Sequence, residues 1–360
     1  MEQNDTLTGM LNLMIHPAFS VKDGILVNVN RAAQACMLTE GMPVSQILLT
    51  GKEEYLEFRN GCLCLTVSLC GNLCGASVTR MGEYDIFVLE PEDDRAELQA
   101  MALAAQELRM PLANVMTLTD RLFPHLQTDD PTSQEQLARL NKGLFQLLRT
   151  VSNMSDAYRY SQLPTCNQET IDISDYMEET FRCAAELVVH TDITLNFRNL
   201  TTSVYTLADP EKLERAVHNL LSNAIKFTPK GGSVDASLQR RGNMLYLTVQ
   251  DSGSRVPDEL RGNLFSRYQR QPGIEDSRNG IGLGMVLVRS TAAMHGGTVL
   301  LEYPEDRGTR ITMTLSIRQN TDSIVRSPVI RVDYAGERDH RLLELSDVLP
   351  HTLYETEKIN

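Results

Sequence analysis

The sequence predicts a multidomain α+β protein, on three observations. Residues 1–90 read as short strands around a hairpin. Two long segments then repeat apolar residues at alternating spacings of three and four. Beyond residue 165, helical and strand-like segments mix. A chain of 360 residues also exceeds what one ordinary core serves, so two or three domains are expected.

Hydrophobic residues make up 42% and charged residues 22%, the balance of a soluble globular protein. Lys and Arg number 34 against 47 Asp and Glu, a formal net charge of −13 that argues against general phosphate-backbone binding. Trp is absent and aromatics are only 6%, which disfavours a base-stacking surface, so no nucleic-acid partner is expected. Glu2 and Asp5 precede any Lys or Arg, the wrong polarity for a secretory signal. From Asn60 to Thr79 no side chain is charged, a length that would suit a membrane span. Gly61, Gly71, Asn72 and Gly75, with Thr66 and Ser68, punctuate the run, and a β-hairpin turning near Gly71-Asn72 fits it better. A cytoplasmic protein without membrane insertion is expected.

In residues 1–90, Val21-Lys22-Asp23-Gly24-Ile25-Leu26-Val27 supplies a turn and a strand, and Tyr84-Asp85-Ile86-Phe87-Val88-Leu89 a closing strand. Of seven cysteines (Cys36, Cys62, Cys64, Cys70, Cys74, Cys166 and Cys183), four crowd the hairpin. Without a repeated C-x-x-C or a neighbouring His, they read as small hydrophobes with reduced thiols rather than metal ligands.

Residues 91–162 read as two helices. The first begins near Pro91, with Glu92, Asp93 and Asp94 complementing its positive end. Leu98, Met101, Ala105, Leu108, Leu112, Val115, Thr119 and Leu122 form its seam, and Pro124 with the polar run Gln127 to Ser133 ends it. Leu137, Leu140, Leu144, Leu147, Val151, Met154 and Tyr158 form the seam of the second. An antiparallel hairpin buries only one stripe per helix, so pairing with a second hairpin in a homodimeric four-helix bundle is expected; packing on the chain's own domains is the alternative.

Residues 165–318 carry candidate helices at Ser174–Val189 and Pro210–Phe227, and strands at Met244–Val249, Thr298–Tyr303 and Arg310–Ile317. Residues 319–360 offer a strand-like Val329-Ile330-Arg331-Val332 and an amphipathic Leu342–Leu349, expected to pack back on the preceding domain rather than dock a partner.

Three clusters in residues 165–318 point towards a nucleotide. Asn219, Asn223 and Lys226 share one helical face; carboxamide oxygens suit Mg²⁺ and an ammonium can meet phosphate. Asp251, at a strand end and followed by Gly253, can accept a hydrogen bond from an exocyclic amine. Gly280, Gly282 and Gly284 open an apolar helix, where phosphates can approach backbone N–H groups. The polar stretch Ser266 to Arg278 has a lid's composition. Taken singly, the clusters read more readily as a polar helix face, an ordinary turn and a chance glycine run.

In order and spacing together, they resemble the ATP-binding domain of sensor histidine kinases, in the wider family shared with gyrase and the Hsp90 chaperones. "HNLLSNAIKFTPKGG" resembles the asparagine box, "DSGSRVP" the first glycine box, "LFSRYQR" the phenylalanine box and "NGIGLGM" the second glycine box; "HGG" at His295 to Gly297 also falls in place. The resemblance implies an α/β two-layer sandwich that binds ATP and Mg²⁺. Asn219 and Asn223 would serve the metal (Asn223 foremost) and phosphate, with Lys226 nearby. Asp251 would recognise adenine and Gly280, Gly282 and Gly284 would line the triphosphate, while Phe227, Gly253 and Leu283 complete the set. Arg255 departs from the first glycine box, where the family has glycine.

Upstream, "QELRMPL" resembles the family's H-E-L-R-x-P-L box in its dimerisation and phosphoacceptor hairpin. Glu107, Arg109, Pro111 and Leu112 match, but Gln106 replaces the histidine. An imidazole nitrogen can attack a γ-phosphoryl group, whereas a carboxamide nitrogen is delocalised into its carbonyl and is not nucleophilic. Glu107, the retained acid, then has no substrate proton to accept. His125, the nearest other histidine, is about 28 Å away along an ideal helix. Residues 1–90 resemble a PAS sensory domain through "LVNVNRAAQ" and Asn30, which implies an unidentified small-molecule signal; His16 and Cys36 read as core or loop residues.

The resemblance implies a two-component signalling protein that binds Mg-ATP, does not phosphorylate itself at the usual position, and signals by conformational control of a response regulator or a partner histidine kinase. Phosphorylation of a partner's histidine or serine is the enzymatic alternative, and a scaffold with a vestigial pocket the third.

Overall fold

The computed structural model describes residues 2–69, 72–89, 94–122, 131–162, 167–253, 283–304, 308–318 and 339–355. Cys70, Gly71, residues 91–93, Pro124, His125, Cys166, Arg255, the polar stretch 266–278, Gly280, Gly282 and residues 329–332 lie outside them.

The N-terminal part opens on a helix α1 (Glu2–Leu13), followed by strands β1 (Ala18–Lys22) and β2 (Ile25–Val29), short helices α2 (Arg31–Ala35) and α3 (Lys52–Glu57), and strands β3 (Cys62–Leu69), β4 (Asn72–Met81) and β5 (Tyr84–Leu89). The strands pair antiparallel in the order β2-β1-β5-β4-β3. The turn at Asp23-Gly24 joins paired Lys22 and Ile25 with both central residues left-handed (φ 52° and 78°), the conformation that matches strand twist in a two-residue hairpin. The hairpin expected near Gly71-Asn72 is present, with Leu69 opposite Asn72. Helix α1, which the strand-rich reading does not anticipate, packs Leu7 and Leu11 on Ala18 and Ile86.

Asn30 ties this part together. Its side-chain oxygen accepts from Ala33 N–H at 2.8 Å, capping α2, and from Ala18 N–H at 3.0 Å. Its amide group donates to the carbonyls of His16, Leu11 and Met14 at 2.8, 3.2 and 3.3 Å.

Two long helices follow, α4 (Asp94–Leu122) and α5 (Pro131–Gln162). Leu98 near the start of α4 clusters with Ala157 near the end of α5, so the hairpin is antiparallel as expected. The expected seam divides. Leu98, Ala105, Thr119, Leu144 and Val151 are buried, whereas Leu108, Val115, Leu122, Leu140 and Leu147 stand about half exposed. The buried half serves contacts within the chain. Leu144, Phe145 and Leu148 enter the core of the C-terminal domain, and Leu98 and Ala157 meet Leu283 and Leu287.

That domain comprises β6 (Glu169–Asp172), α6 (Ile173–Val188), β7 (Thr194–Asn199), β8 (Tyr205–Ala208), α7 (Pro210–Phe227), β9 (Ser233–Arg241), β10 (Met244–Asp251), α8 (Leu283–Met294), β11 (Val299–Glu302) and β12 (Arg310–Ser316). Strict alternation in β10 sends Leu245, Leu247 and Val249 inward beneath the helices and Tyr246, Thr248 and Gln250 to the other face. A short helix α9 (His340–Glu344) lies in the C-terminal segment and carries Leu342 and Leu343 into the same core, as the amphipathic reading of 342–349 expects.

The two sheets are one. Strand β3 pairs antiparallel with β11 (Cys62, Leu63 and Cys64 opposite Leu301, Leu300 and Val299), giving a ten-stranded sheet ordered β2-β1-β5-β4-β3-β11-β12-β10-β9-β7. Leu63 and Leu65 face the N-terminal core, while Cys62 and Cys64 face the C-terminal one. A strand buried on both faces accounts for the uncharged run from Asn60. It also accounts for two of the cysteines, which act as small hydrophobes; among the described residues no acidic, His and Cys side chains gather as a metal site.

Gly61 makes this junction possible. Its φ is +93°, and a β-carbon there would lie 1.8 Å from the Leu301 carbonyl oxygen. Gly61→Ala is therefore expected to cost about 2 kcal/mol or more of stability, read as a lower midpoint in urea unfolding. An unchanged midpoint would contradict the tight β3–β11 approach.

Candidate functional site

Helix α7 sets the site's frame. Asp209 caps it, accepting from Lys212 N–H at 3.2 Å, with Pro210 at the first helical position. Its start is tied to α8 by His295. Asp209 N–H donates to His295 Nε2 at 3.0 Å, so Nδ1 carries the proton and donates to the Thr291 carbonyl at 2.7 Å. Burial pushes the His295 pKa below its ordinary value, which keeps this neutral tautomer at physiological pH. The sequence reading placed His295 by position only; the structure gives it a bracing role.

Asn219, Asn223 and Lys226 follow one another along α7, but in different environments. Asn223 and Lys226 are half-buried, and the Lys226 ammonium lies 5.9 Å from the Phe227 ring centre, in the helix's last turn where a cation is favoured. Phe227 is exposed. Asn219 is 1% exposed and fully engaged: its amide group donates to the Arg215 carbonyl at 2.8 Å, and its oxygen accepts from Arg149 Nη2 of α5 at 3.2 Å.

Asp251 ends β10 and is 7% exposed. Its carboxylate accepts from Gly253 N–H at 2.8 Å, curling the chain into a turn, and its own N–H donates to the Thr309 carbonyl at 3.0 Å. Burial pushes the Asp251 pKa up, against the backbone donors at Gly253 and Thr309. A buried, strongly accepting carboxylate at a strand end is suited to an exocyclic amine.

Glycines close the remaining gaps. A β-carbon on Gly253 would lie 2.0 Å from the Phe227 carbonyl oxygen, and one on Gly284 would lie 2.5 Å from the Asn219 side-chain oxygen. These approaches bring the end of β10 against the end of α7, and the start of α8, where Leu283 is buried, against its middle. The structure thus assembles Asn219, Asn223, Lys226, Phe227, Asp251, Gly253, Leu283 and Gly284 around α7, whereas Gly280 and Gly282 lie outside the described residues. Gln106 and Glu107 are exposed on α4.

The sequence reading missed a buried charge cluster behind Asn219. Arg215 Nε meets Glu344 Oε1 at 3.0 Å, its Nη2 donates to Asn153 Oδ1 at 2.9 Å, and its Nη1 pairs with Asp156. Arg149 meets Asp347 at 2.5 Å and Glu344 at 3.5 Å. Burial pushes the Glu344 pKa up, but Arg215 and Arg149 outweigh it and hold the carboxyl below its ordinary range. The only sequence signal was a charged residue within the most buried stretch of α7.

Residues 208–319 match the model of the family described as "Histidine kinase-, DNA gyrase B-, and HSP90-like ATPase". The hybrid signal transduction histidine kinase D of Dictyostelium discoideum is 29% identical over 242 residues, covering 64% of this chain and 15% of that protein. The sensor protein QseC of Salmonella typhi is 33% identical over 201 residues, covering 54% of this chain and 42% of that protein. The chain thus spans less than half the length of these relatives. The crystal structure of full-length ShkA in complex with AMPPNP shares the fold, with a TM-score of 0.51 at 19% identity, covering 63% of this chain and 47% of that one. Residues 208–319 thus form an ATPase domain of the type shared by histidine kinases, DNA gyrase B and HSP90, and the chain is similar to sensor histidine kinases over more than half its length.

Proposed function

We propose that the chain binds Mg-ATP around α7 and uses it to control a partner in two-component signalling, without accepting phosphate at Gln106. The observation that carries the reading is the placement of Asp251 and Gly253 at the end of α7 and of Gly284 against its middle, on the helix that bears Asn219, Asn223 and Lys226, in a domain of ATPase type. Asp251 would hold the adenine amine, and the Gly253 turn would leave space beside it. Asn223 would hold Mg²⁺, with Asn219 and Lys226 serving metal and phosphate beside it. Phe227 and Leu283 would flank the nucleotide, with Gly280, Gly282 and Gly284 lining its phosphates. Bound Mg-ATP would supply an activated γ-phosphoryl group, and the carboxamide nitrogen of Gln106, its lone pair delocalised into the carbonyl, is not a nucleophile for it.

Residues 1–90 would act as a PAS-like sensor of a small molecule. A cytoplasmic setting is supported by composition, and no described helix is long and apolar enough to cross a membrane. Homodimerisation is supported by an apolar stripe at heptad spacing on the hairpin: Leu108, Val115 and Leu122 on α4, with Leu140 and Leu147 on α5, are about half exposed. A response regulator or a partner histidine kinase is the downstream component this arrangement fits.

Three outcomes are expected. Purified wild type given labelled Mg-ATP should carry no acid-labile phosphate, whereas Gln106→His should; label on both would place an acceptor elsewhere, and label on a co-purified partner alone would favour the partner-directed kinase. Leu147→Lys should convert a dimer to a monomer in light scattering, and a monomeric wild type would remove the bundle. Asp251→Asn should weaken nucleotide binding in calorimetry by about tenfold or more while stabilising the empty protein at pH 7. The raised pKa of Asp251 makes its charge a cost to the folded state at neutral pH. That cost fades as pH falls through the raised value, so the stability gain should vanish on approaching the unfolded value of 3.8.

A further inference from the structure

The C-terminal segment 339–355 lies where the hairpin meets the ATPase domain. Asp339 caps α9, accepting from Arg341 N–H at 2.8 Å, and clasps the Arg341 guanidinium at 2.6 Å. Leu342, Leu343, Leu345, Leu349 and Tyr354 are buried. Along α5, Asn141 donates to the Tyr354 carbonyl at 3.0 Å, Lys142 Nζ to the Leu349 carbonyl at 2.7 Å, and the Phe145 ring meets Tyr354 edge-on at 5.2 Å. Towards the ATPase domain, Glu344 takes Arg215 of α7. One short segment therefore grips both partners.

It also governs Asn219. The guanidinium of Arg149 is shared between Asp347 and Glu344 of the segment and the side-chain oxygen of Asn219. The two carboxylates hold Arg149 where it occupies that oxygen, and the Asn219 amide protons are turned back onto α7 at the Arg215 carbonyl. An asparagine whose oxygen is already taken by a buried cation is a poor ligand for a second one, since Arg149 and a metal would repel each other across it.

We propose that residues 339–355 form an internal latch, which clamps the ATPase domain to the hairpin and competes with Mg-nucleotide for Asn219. The inference rests on the reading that Asn219 serves bound nucleotide. Coupling of this kind is reciprocal: loosening the latch tightens nucleotide binding, and nucleotide loosens the latch by the same factor. The sequence shows no trace of this device, because Arg149, Asn219 and Glu344 belong to three different parts of the chain.

The test uses the full chain and Mg-AMPPNP. Calorimetry compares wild type with Asp347→Asn, a substitution at a partly exposed carboxylate outside the nucleotide site, and hydrogen exchange follows 339–355 in wild type with and without the nucleotide. The expected result is binding about fivefold or more tighter in Asp347→Asn, with faster exchange across 339–355 when wild type is saturated. The exchange measurement needs no variant, so misfolding of Asp347→Asn would not spare the proposal. Equal affinities with unchanged exchange would overturn the latch and leave nucleotide binding intact. Absence of binding in both proteins would overturn the nucleotide reading, and the latch with it.

Discussion

Two guanidinium groups, Arg149 from the hairpin and Arg215 from the ATPase domain, are buried around one carboxylate, Glu344, and the mutual placement of three parts of the chain depends on that contact. Burying an ion costs several kcal/mol even after relaxation, so each member is tolerable only with its partners present. Removing one partner typically costs about 3–5 kcal/mol, whereas a well-packed apolar replacement of the whole cluster can be neutral. The cluster is therefore better understood as a device for position than as a source of net stability. It punishes any arrangement in which α5, α7 and α9 do not meet. The same reasoning explains its additional polar members: Asn153, Asp156 and Asp347 satisfy guanidinium donors that Glu344 alone cannot reach.

A second constraint acts where the N-terminal part joins the ATPase sheet. Because β3 turns alternate side chains into two cores, a slip of one residue against β11 would send Cys62 and Cys64 into the N-terminal core and Leu63 out of it. Register is thus specified twice over, and the N-terminal part cannot slide along the ATPase sheet by small steps. Glu54 of α3 adds a polar tie, accepting from the Thr314 hydroxyl of β12 at 3.1 Å. Beside it, a cavity of about 410 Å³ separates α3 from the outer strand face of Thr248, Thr312 and Thr314. The N-terminal part thus meets the ATPase domain through the shared sheet, while the hairpin meets it through the side chains of α5 that enter its core.

Local patterns in the sequence were enough for most elements. Helix α7 runs from Pro210 to Phe227 as its capping and periodicity foretell, and the strands at 244–251 and 310–316 follow from alternation. The candidate residues of α7 and Asp251 could be singled out because their chemistry repeats at helical spacing or sits at a strand end, and the structure brings them to one helix. The β3–β11 pairing was not, since a strand edge carries no mark of its distant partner; its only trace was a run too apolar for a one-sided hairpin. Helix α1 escaped because Leu7 and Leu11 are too few to set a period. The engagement of Asn219 by Arg149 escaped for a different reason: helical spacing says which face a residue shares, not which other element supplies its hydrogen-bond partner.

The magnitudes also decide whether, on the proposed reading, a chain that binds nucleotide and takes no phosphate at Gln106 could signal at all. Its output must be a shift in population, and the largest shift available is set by the contacts that nucleotide forces the chain to exchange. A hydrogen bond to a charged group contributes about 1.5–3 kcal/mol, so displacing Arg149 from Asn219 alone corresponds to roughly a 10- to 150-fold change in the balance between docked and released ATPase domain. That range is the usual one for allosteric coupling. On the proposed reading, a glutamine at position 106 would remove chemistry from the hairpin but leave untouched the lever by which bound nucleotide would move it.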